Sequence, residues 1–281
     1  MVALNAHEEV VMNIPVTWQL FDGCAVGYDE YRPGYPEGVF GILSRYHVAP
    51  GPIRSAVDVG AGTGIFSRQL IQAVPSIEKL TCIDANSDMA AIAKERSASF
   101  GGLDVQVGFA EKLPLPDRSC DLVAAATSAN WFDRPLFYQE AARVLKPSGT
   151  LLLLQNNHRY RESAFLDNFY SFQERHIPEY RRGQYSDSLG GYGKADFETE
   201  LRSHSDLIAV ERHNVEWRQT VSANQFRGYC YSMSHIKKAI DRSGAAVIAR
   251  EIDALLERHQ DSSGDVAVEW LTDIVLCRAR P

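Results

Sequence analysis

From Ser55 to Leu154 short apolar runs alternate with segments whose apolar positions recur at helical spacing. "SAVDVG", "KLTCID", "LDVQVG", "CDLVAAAT" and "TLLLLQN" read as strands. "GIFSRQLIQAV", "SDMAAIAKERSASF" and "DRPLFYQEAARVL" read as the helices between them, the last ended by Lys146-Pro147-Ser148-Gly149. Strands that are apolar throughout, alternating with helices, predict βαβ units around a parallel sheet buried on both faces. Right-handed crossovers then bring the loops that follow the strands to one edge, where open α/β sheets bind ligands.

Past Gln155 the period changes. "SAFLDNFYSFQERHIPEY" predicts an aromatic-rich helix and "SDSLGGYGKADF" a loop with three glycines. "LIAVERHNVEWRQTV" reads as a strand, "SANQFRGYCYSMSHIKKAI" as one or two helices, "GAAVIAREIDALLERHQ" as an amphipathic helix and "DVAVEWLTDIVLCRAR" as a closing strand. The two late strands predict an antiparallel finish to the sheet with the helices outside it. Residues 1–50 lack strand signal and predict a helical cover over a domain at 51–281, whose lid insertions fall at about 156–205 and 221–262.

Composition narrows the function. The chain has 281 residues, is 45% hydrophobic and holds 36 acidic against 29 basic residues, a formal charge of -7. No Lys/Arg block is longer than Arg181-Arg182, so the basic footprint of a nucleic-acid partner is missing. Cys24, Cys82, Cys120, Cys230 and Cys277 are far apart and form no C-x-x-C pair, which suits a reducing compartment and offers no zinc site. The first 20 residues contain Glu8, Glu9 and Asn13 and lack a basic region followed by an apolar run. No window approaches the roughly 20 apolar residues of a membrane span. The expectation is a soluble cytoplasmic protein, monomer or homodimer, with no nucleic-acid or membrane partner and no metal.

The chemistry centres on "VDVGAGTGIF". Glycines after a strand allow a tight turn and close approach of a ligand. The dinucleotide spacing G-x-G-x-x-G fails, because Gly60 and Gly62 are followed by Ile65, with the third glycine one place early at Gly64. Asp58 adds a carboxylate near the helix N-terminus, where a pyrophosphate would otherwise sit. It repels an anion and attracts an amino group or cationic sulfur, one charge pair at 4 Å being worth roughly 4 kcal/mol at an effective dielectric of 20. Asp84 ends the second strand, where a short acid accepts hydrogen bonds from a ribose diol. Asn86, Ser87 and Asp88 can cap the following helix, and Met89 offers an apolar face to a purine. Two carboxylates placed for an amino-acid end and a ribose describe S-adenosylmethionine.

"VDVGAGTGIFSRQL", "CIDANSDM", "GFAEKLPLPDRSCDLV" and "EAARVLKPSGTLLLL" resemble, in order and spacing, the motifs of class I S-adenosylmethionine-dependent methyltransferases, over residues 55 to 155. "YDEYRPGYP" and "SANWFDRPLFYQEAARVLKP" resemble the small-molecule enzymes of the trans-aconitate methyltransferase group. The resemblance implies a Rossmann-like, doubly wound, mostly parallel sheet with an antiparallel last strand and a helical lid. It implies that Asp58, Gly60, Ala61 and Gly62 hold the methionine portion, that Asp84 and Ala85 meet the ribose, and that Met89, Ala110 and Glu111 meet the adenine. An Asp is common in the family where Phe109 stands, so adenine recognition here falls to backbone amides and a ring contact. Where the family often has His-Trp-Phe, this chain has Asn130-Trp131-Phe132, which excludes a histidine base there and leaves Asn130 as a hydrogen-bonding group.

Thr127 closes the fourth strand at the cofactor edge. Tyr28, Tyr31 and Arg32 precede the core, and in similar proteins such a segment folds over the cofactor. Arg32 then pairs with the methionine carboxylate or an acidic substrate, unless "RPGYP" simply fixes a turn. His158, three residues past "LLLLQ", and His235, in "YSMSH", are the candidate catalytic bases; otherwise they are an ordinary loop and an ordinary lid histidine. His176, His204 and His213 read as surface residues. Trp131 and Phe132 line an acceptor site or fill core, and Phe165, Phe169, Tyr170 and Phe172 roof a pocket or pack the lid.

The implied activity is transfer of a methyl group to an O, N or C atom of a small-molecule acceptor in a biosynthetic pathway, by positioning and desolvation, with S-adenosylhomocysteine as product. The rival reading is a cofactor-binding protein that does not methylate, acting as a partner subunit or promoting a rearrangement.

Overall fold

The computed structural model describes residues 25–47, 51–187, 189 and 191–281. Two helices, α1 (Ala25–Tyr31) and α2 (Gly38–Tyr46), precede the first βα units: β1 (Ser55–Val59), α3 (Ile65–Ala73), β2 (Lys79–Asp84), α4 (Ser87–Arg96) and β3 (Leu103–Val107). β4 (Cys120–Ala126), α5 (Arg134–Val144) and β5 (Leu145–His158) complete the parallel part. Then come α6 (Ala164–His176), β6 (Tyr185–Ser186), β7 (Tyr192–Gly193), α7 (Phe197–Arg202), β8 (Leu207–Ser222), three helices α8 (Ala223–Tyr231), α9 (Ser234–Ser243) and α10 (Ala245–His259), and β9 (Asp265–Ala279).

The seven-stranded sheet has the order β3-β2-β1-β4-β5-β9-β8. β1 to β5 pair parallel, and β9 runs antiparallel to both of its neighbours, between β5 and β8. This is the expected Rossmann-like sheet with its antiparallel last strand. The order reverses between β1 and β4, so the crevice beyond their C-terminal ends is the switch point where such sheets take ligands.

Alternate strand positions feed two cores. Val57, Val59, Val123, Ala125, Leu151 and Leu153 face one way with Phe137 and Val144 of α5. Leu122, Ala124, Leu152 and Leu154 face the other, against Val39 and Leu43 of α2 and Phe66 and Leu70 of α3. Side-chain caps fix several helix starts: Asn86 accepts from the amides of Asp88 and Met89, Asp133 from Leu136, and Ser163 from Leu166.

A third core belongs to the lid. Phe165, Phe169 and Phe172 of α6 pack with Phe226 of α8, Ile236 of α9 and Ile248 and Ile252 of α10, seated on Val266, Val268 and Trp270 of β9. The expected lid of 156–205 is longer than this packing: 156–158 are still β5, and Phe197 and Leu201 of α7 join the core under α5. Within residues 1–50, positions 1–24 and 48–50, which include Cys24, lie outside the described residues; α2 packs onto the sheet, and α1 reaches the ligand edge.

Two other readings are corrected. The glycine loop after α6 contains a small hairpin, Tyr185 and Ser186 pairing with Gly193 and Tyr192. Lys146–Gly149 does not separate helix from strand, because β5 already runs through it, with Ser148 at φ 64° and a register shift between Cys120 and Leu122.

Candidate active site

Four of the five amides in the turn after β1, residues 60–64, are already paired. The amides of Gly60 and Ala61 both donate to the Ile83 carbonyl, at 2.8 and 3.0 Å, that of Gly62 to Asp84 Oδ2 at 2.7 Å, and that of Gly64 to Ala61 O at 2.9 Å. A phosphate-binding loop needs such N–H groups unpaired and pointing at the ligand. Gly60 and Gly62 sit at φ 65° and 56°, and a Cβ on Gly60 would lie 2.6 Å from Ser128 Cβ and 2.8 Å from Phe132 Cζ. Only glycine allows this turn to press against the segment after β4.

What the turn presents is a carboxyl group. Asp58 is fully buried; its Oδ2 accepts from Ser67 Oγ at 2.5 Å, while its Oδ1 is buried with no partner. Burial pushes its pKa up to about 7, with the nearby Asp84 adding to the rise and the Ser67 bond opposing it. Asp84 is oriented by the amides of Gly62 and Asn86, at 2.7 and 2.8 Å, and burial raises its pKa as well. Each of its oxygens takes one of these bonds and keeps a second lone pair for a hydroxyl.

Asp58, Gly60, Ala61 and Gly62 line a cleft of about 600 Å³ together with Tyr28, Arg32 and Thr127. Arg32 donates to the Ser232 carbonyl at 3.0 Å and lies 4.6 and 5.4 Å above the rings of Tyr28 and Tyr229; its Nε is buried with no partner. Thr127 holds a β-branched side chain at φ 56°, a strained backbone, and its Oγ1 accepts from Tyr35 OH at 2.9 Å. Tyr35 and Asn156, both in the cleft wall, were missed by sequence reasoning. "YP" at 35–36 carried a signal in its aromatic next to a turn; Asn156, two residues past an apolar strand run, carried one in its position at the ligand edge.

The cleft opens into a larger chamber of about 830 Å³, sharing Tyr28, Arg32, Thr127, Asn156, Tyr229 and Trp270 with it. His158, His235, Asn130 and Trp131 all line this chamber. The two histidines are placed there but are not poised as bases. His158 is caged by Phe169, Tyr170, Tyr229 and Trp270, and His235 by Tyr180 and Tyr192. Burial, aided by the Arg32 charge, lowers both pKa values to about 3. At neutral pH each is an uncharged hydrogen-bonding ring with a proton affinity far below that of a useful general base.

Other candidate residues separate along the same lines. Phe132 does not face the chamber: its ring backs the Gly60 turn and packs edge-on to Phe137 at 4.9 Å. Glu111 Oε1 accepts from the Asp133 amide at 2.8 Å, at the start of α5. Met89 and Ala110 are buried in the core, whereas Ala85, beside Asp84, is partly exposed. Val107, in register beside Asp84, exposes 59% of its surface and adds an apolar face missed in the sequence. Of the aromatic helix, Phe165, Phe169 and Phe172 fill the lid core and Tyr170 reaches the chamber. His176 is not a surface residue: it is largely covered and bonds Ser243 Oγ and Glu251. Arg182 is tied to Glu174 and Asp167.

Among the described residues no group of three or more His, Cys, Asp or Glu side chains is placed to hold a metal, and no helix is long and apolar enough to cross a membrane.

α1 reaches the cleft through a close contact. The Tyr31 ring lies where a Cβ on Gly228 of α8 would fall, at 2.5 Å. Gly228→Ala is therefore expected to push α1, with Tyr28 and Arg32, off the cleft. Calorimetric affinity for S-adenosylhomocysteine should fall about tenfold, with overall stability held near wild type by the better helix propensity of alanine, worth about 1 kcal/mol. Unchanged affinity would show that α1 does not shape the cleft.

Residues 57–153 match a family model described as a methyltransferase domain. A protein of Dictyostelium discoideum named as a methyltransferase is 22% identical over 259 residues, covering 87% of this chain and 88% of its own. The malonyl-[acyl-carrier protein] O-methyltransferase of Methylococcus capsulatus is 36% identical over 133 residues, 47% of this chain and 48% of its own, so the chain spans about half of that relative. A solved structure from Anaeromyxobacter dehalogenans, described as a type II methyltransferase, shares the fold with a TM-score of 0.61 at 22% identity, covering 89% of this chain and 98% of that one. Residues 57–153 therefore resemble a methyltransferase domain, and within them an orphaned acid lies under the glycine turn after β1.

Proposed function

We propose that the protein transfers a methyl group from S-adenosylmethionine to a small-molecule acceptor held in the chamber beneath the lid. The observation that carries this reading is Asp58 Oδ1, a buried carboxylate oxygen with no partner, in the wall of a cleft that joins a second, ligand-sized chamber.

The residues present fit the cofactor. Asp58 would receive its ammonium, Arg32 its carboxylate and Asp84 its ribose hydroxyls, with Ala85 and Val107 offering apolar surface nearby. When bound, S-adenosylmethionine supplies a methyl carbon activated by the sulfonium and leaves as S-adenosylhomocysteine. The chain's own contribution is alignment and exclusion of water. Tyr28 and Arg32 cover the junction of cleft and chamber, and Tyr229 and Trp270 wall it from the lid and β9. Such positioning can supply up to about 7–11 kcal/mol. With His158 and His235 held neutral, no strong base is offered, so the acceptor atom attacks through a lone pair it already carries, the sulfur–methyl bond breaks as the new bond forms, and any proton on that atom is shed to water from the methylated product.

The test is turnover of labelled S-adenosylmethionine against a panel of small acceptors, with products read by mass spectrometry. A methylated product whose formation falls at least 100-fold in Asp84→Ala is expected. The weak basicity of both chamber histidines also suits the rival, a cofactor-binding protein without methylation. Tight cofactor binding with no product from any acceptor would favour it.

A further inference from the structure

The chamber's polar atoms are buried and unpaired to an unusual degree. Asn130 Oδ1, Gln155 Oε1, both amide atoms of Gln173, Ser186 Oγ, His235 Nε2 and Trp270 Nε1 are all buried without a hydrogen-bond partner, and each of these residues lines the chamber. Asn130, Gln155, Gln173, Ser186 and Trp270 are more than nine-tenths buried. About nine in ten buried polar groups are paired in folded proteins, so six residues with orphaned atoms around one space mark a surface shaped for a ligand's heteroatoms. The set is mixed: carbonyl oxygens of Asn130, Gln155 and Gln173 accept, the Gln173 amide and Trp270 N–H donate, and the Ser186 hydroxyl does either.

Aromatic rings supply the other walls. Tyr170 and Tyr180 are near parallel, with centroids 6.3 Å apart, and Trp131 and Trp270 also line the chamber. Ring faces favour a flat guest.

Charge is the third constraint. Among the described residues lining the chamber Arg32 is the one formal charge; none is Asp, Glu or Lys. Its field reaches both histidines from the junction with the cleft. A cationic guest meets repulsion with no carboxylate to offset it. An anionic guest competes for Arg32 with the carboxylate of the cofactor.

We propose that the acceptor is an uncharged, planar ring compound bearing several nitrogen and oxygen hydrogen-bonding atoms, read by Gln155, Gln173, Asn130 and Ser186. This rests on the cofactor assignment, since it is the cofactor's carboxylate that occupies Arg32. Gln173 and Gln155 approach from different elements, the lid helix α6 and the sheet strand β5, so the guest bridges lid and core. Both are specificity-determining residues that touch the acceptor and leave the cofactor cleft alone.

The test uses the full chain saturated with S-adenosylhomocysteine at pH 7 and titrated by calorimetry with matched rings: 2-quinolone and hypoxanthine as uncharged probes, quinoline-2-carboxylate as anion and N-methylquinolinium as cation. At least one uncharged probe is expected to bind tenfold or more tighter than either charged one, and to lose tenfold or more in Gln173→Leu and in Gln155→Leu. Ser186→Ala, a smaller change, should lose about threefold and guards against a Gln variant that fails to fold. Affinity for S-adenosylhomocysteine should stay at the wild-type value in all three. Tighter binding of a charged probe, no binding by the uncharged ones, or indifference of the variants overturns the proposal, the last by showing that the bound ring does not touch Gln155, Gln173 or Ser186. Failure of the wild type to bind S-adenosylhomocysteine would instead strike the cofactor reading and is visible before any ring is added.

Discussion

Asp58→Asn is expected to lose at least 100-fold in affinity for S-adenosylmethionine at pH 8 while making the ligand-free protein more stable than wild type at that pH. Both signs come from one carboxyl, buried with Oδ1 unpartnered and its pKa raised from 3.8 to about 7. A group whose folded pKa lies above its unfolded one binds more protons folded than unfolded between the two values. Its stability is complete below about pH 4 and is lost as pH rises toward 7, a loss of about 4 kcal/mol. Asparagine removes that slope, and the donor it leaves unpaired costs about 1–3 kcal/mol. Urea unfolding should therefore show the variant about 1–3 kcal/mol more stable than wild type at pH 8 and no more stable near pH 4. Equal stabilities at both values would mean that Asp58 is not held as a buried acid. The binding loss follows because one ion pair in such a site is worth several kcal/mol, and 100-fold is about 2.7.

The second large effect is mechanical. Gly60→Ala puts a Cβ at 2.6 Å from Ser128 and 2.8 Å from Phe132, on a backbone at φ 65°. Strain of about 1–3 kcal/mol adds to overpacking of about 1–3 kcal/mol. Gly62 is the internal control: its φ is 56°, but a Cβ there would find nothing nearer than Tyr28 at 3.8 Å. Gly60→Ala should cost about 2 kcal/mol more than Gly62→Ala in urea unfolding at the same pH. A smaller or reversed difference would show that the turn can move away from Ser128 and Phe132, and the rigid seat assigned to Asp58 would then be wrong.

The sheet was legible because its strands are apolar on both faces and its helices repeat at helical spacing; "KLTCID" matches β2 residue for residue. Asp58 and Asp84 were legible because strand ends and turn glycines are local signals. The hairpin of β6 and β7 was not, since two-residue strands have no period to read. Nor was α7, whose six residues pack under α5 instead of into the lid. Phe132 was misplaced because a strand-end position does not tell which way a side chain turns. The chamber was least visible, being assembled from Asn130, Gln155, Gln173 and Trp270, which lie far apart in the chain. One clue was available: Gln173 falls four residues after Phe169 on the buried stripe of α6, where an amide is out of place unless something binds it.

The most direct measurement is the proton balance of cofactor binding. S-adenosylhomocysteine is titrated into the wild type at pH 6 and pH 8 by calorimetry, in paired buffers of different ionisation enthalpy. Because the ligand's ammonium must displace the proton that Asp58 holds below about pH 7, binding should release close to one proton at pH 6 and close to none at pH 8, with affinity rising about tenfold between them. Absence of binding, or binding with the same proton count at both values, would contradict the assignment of Asp58 as the seat of the cofactor's amino group.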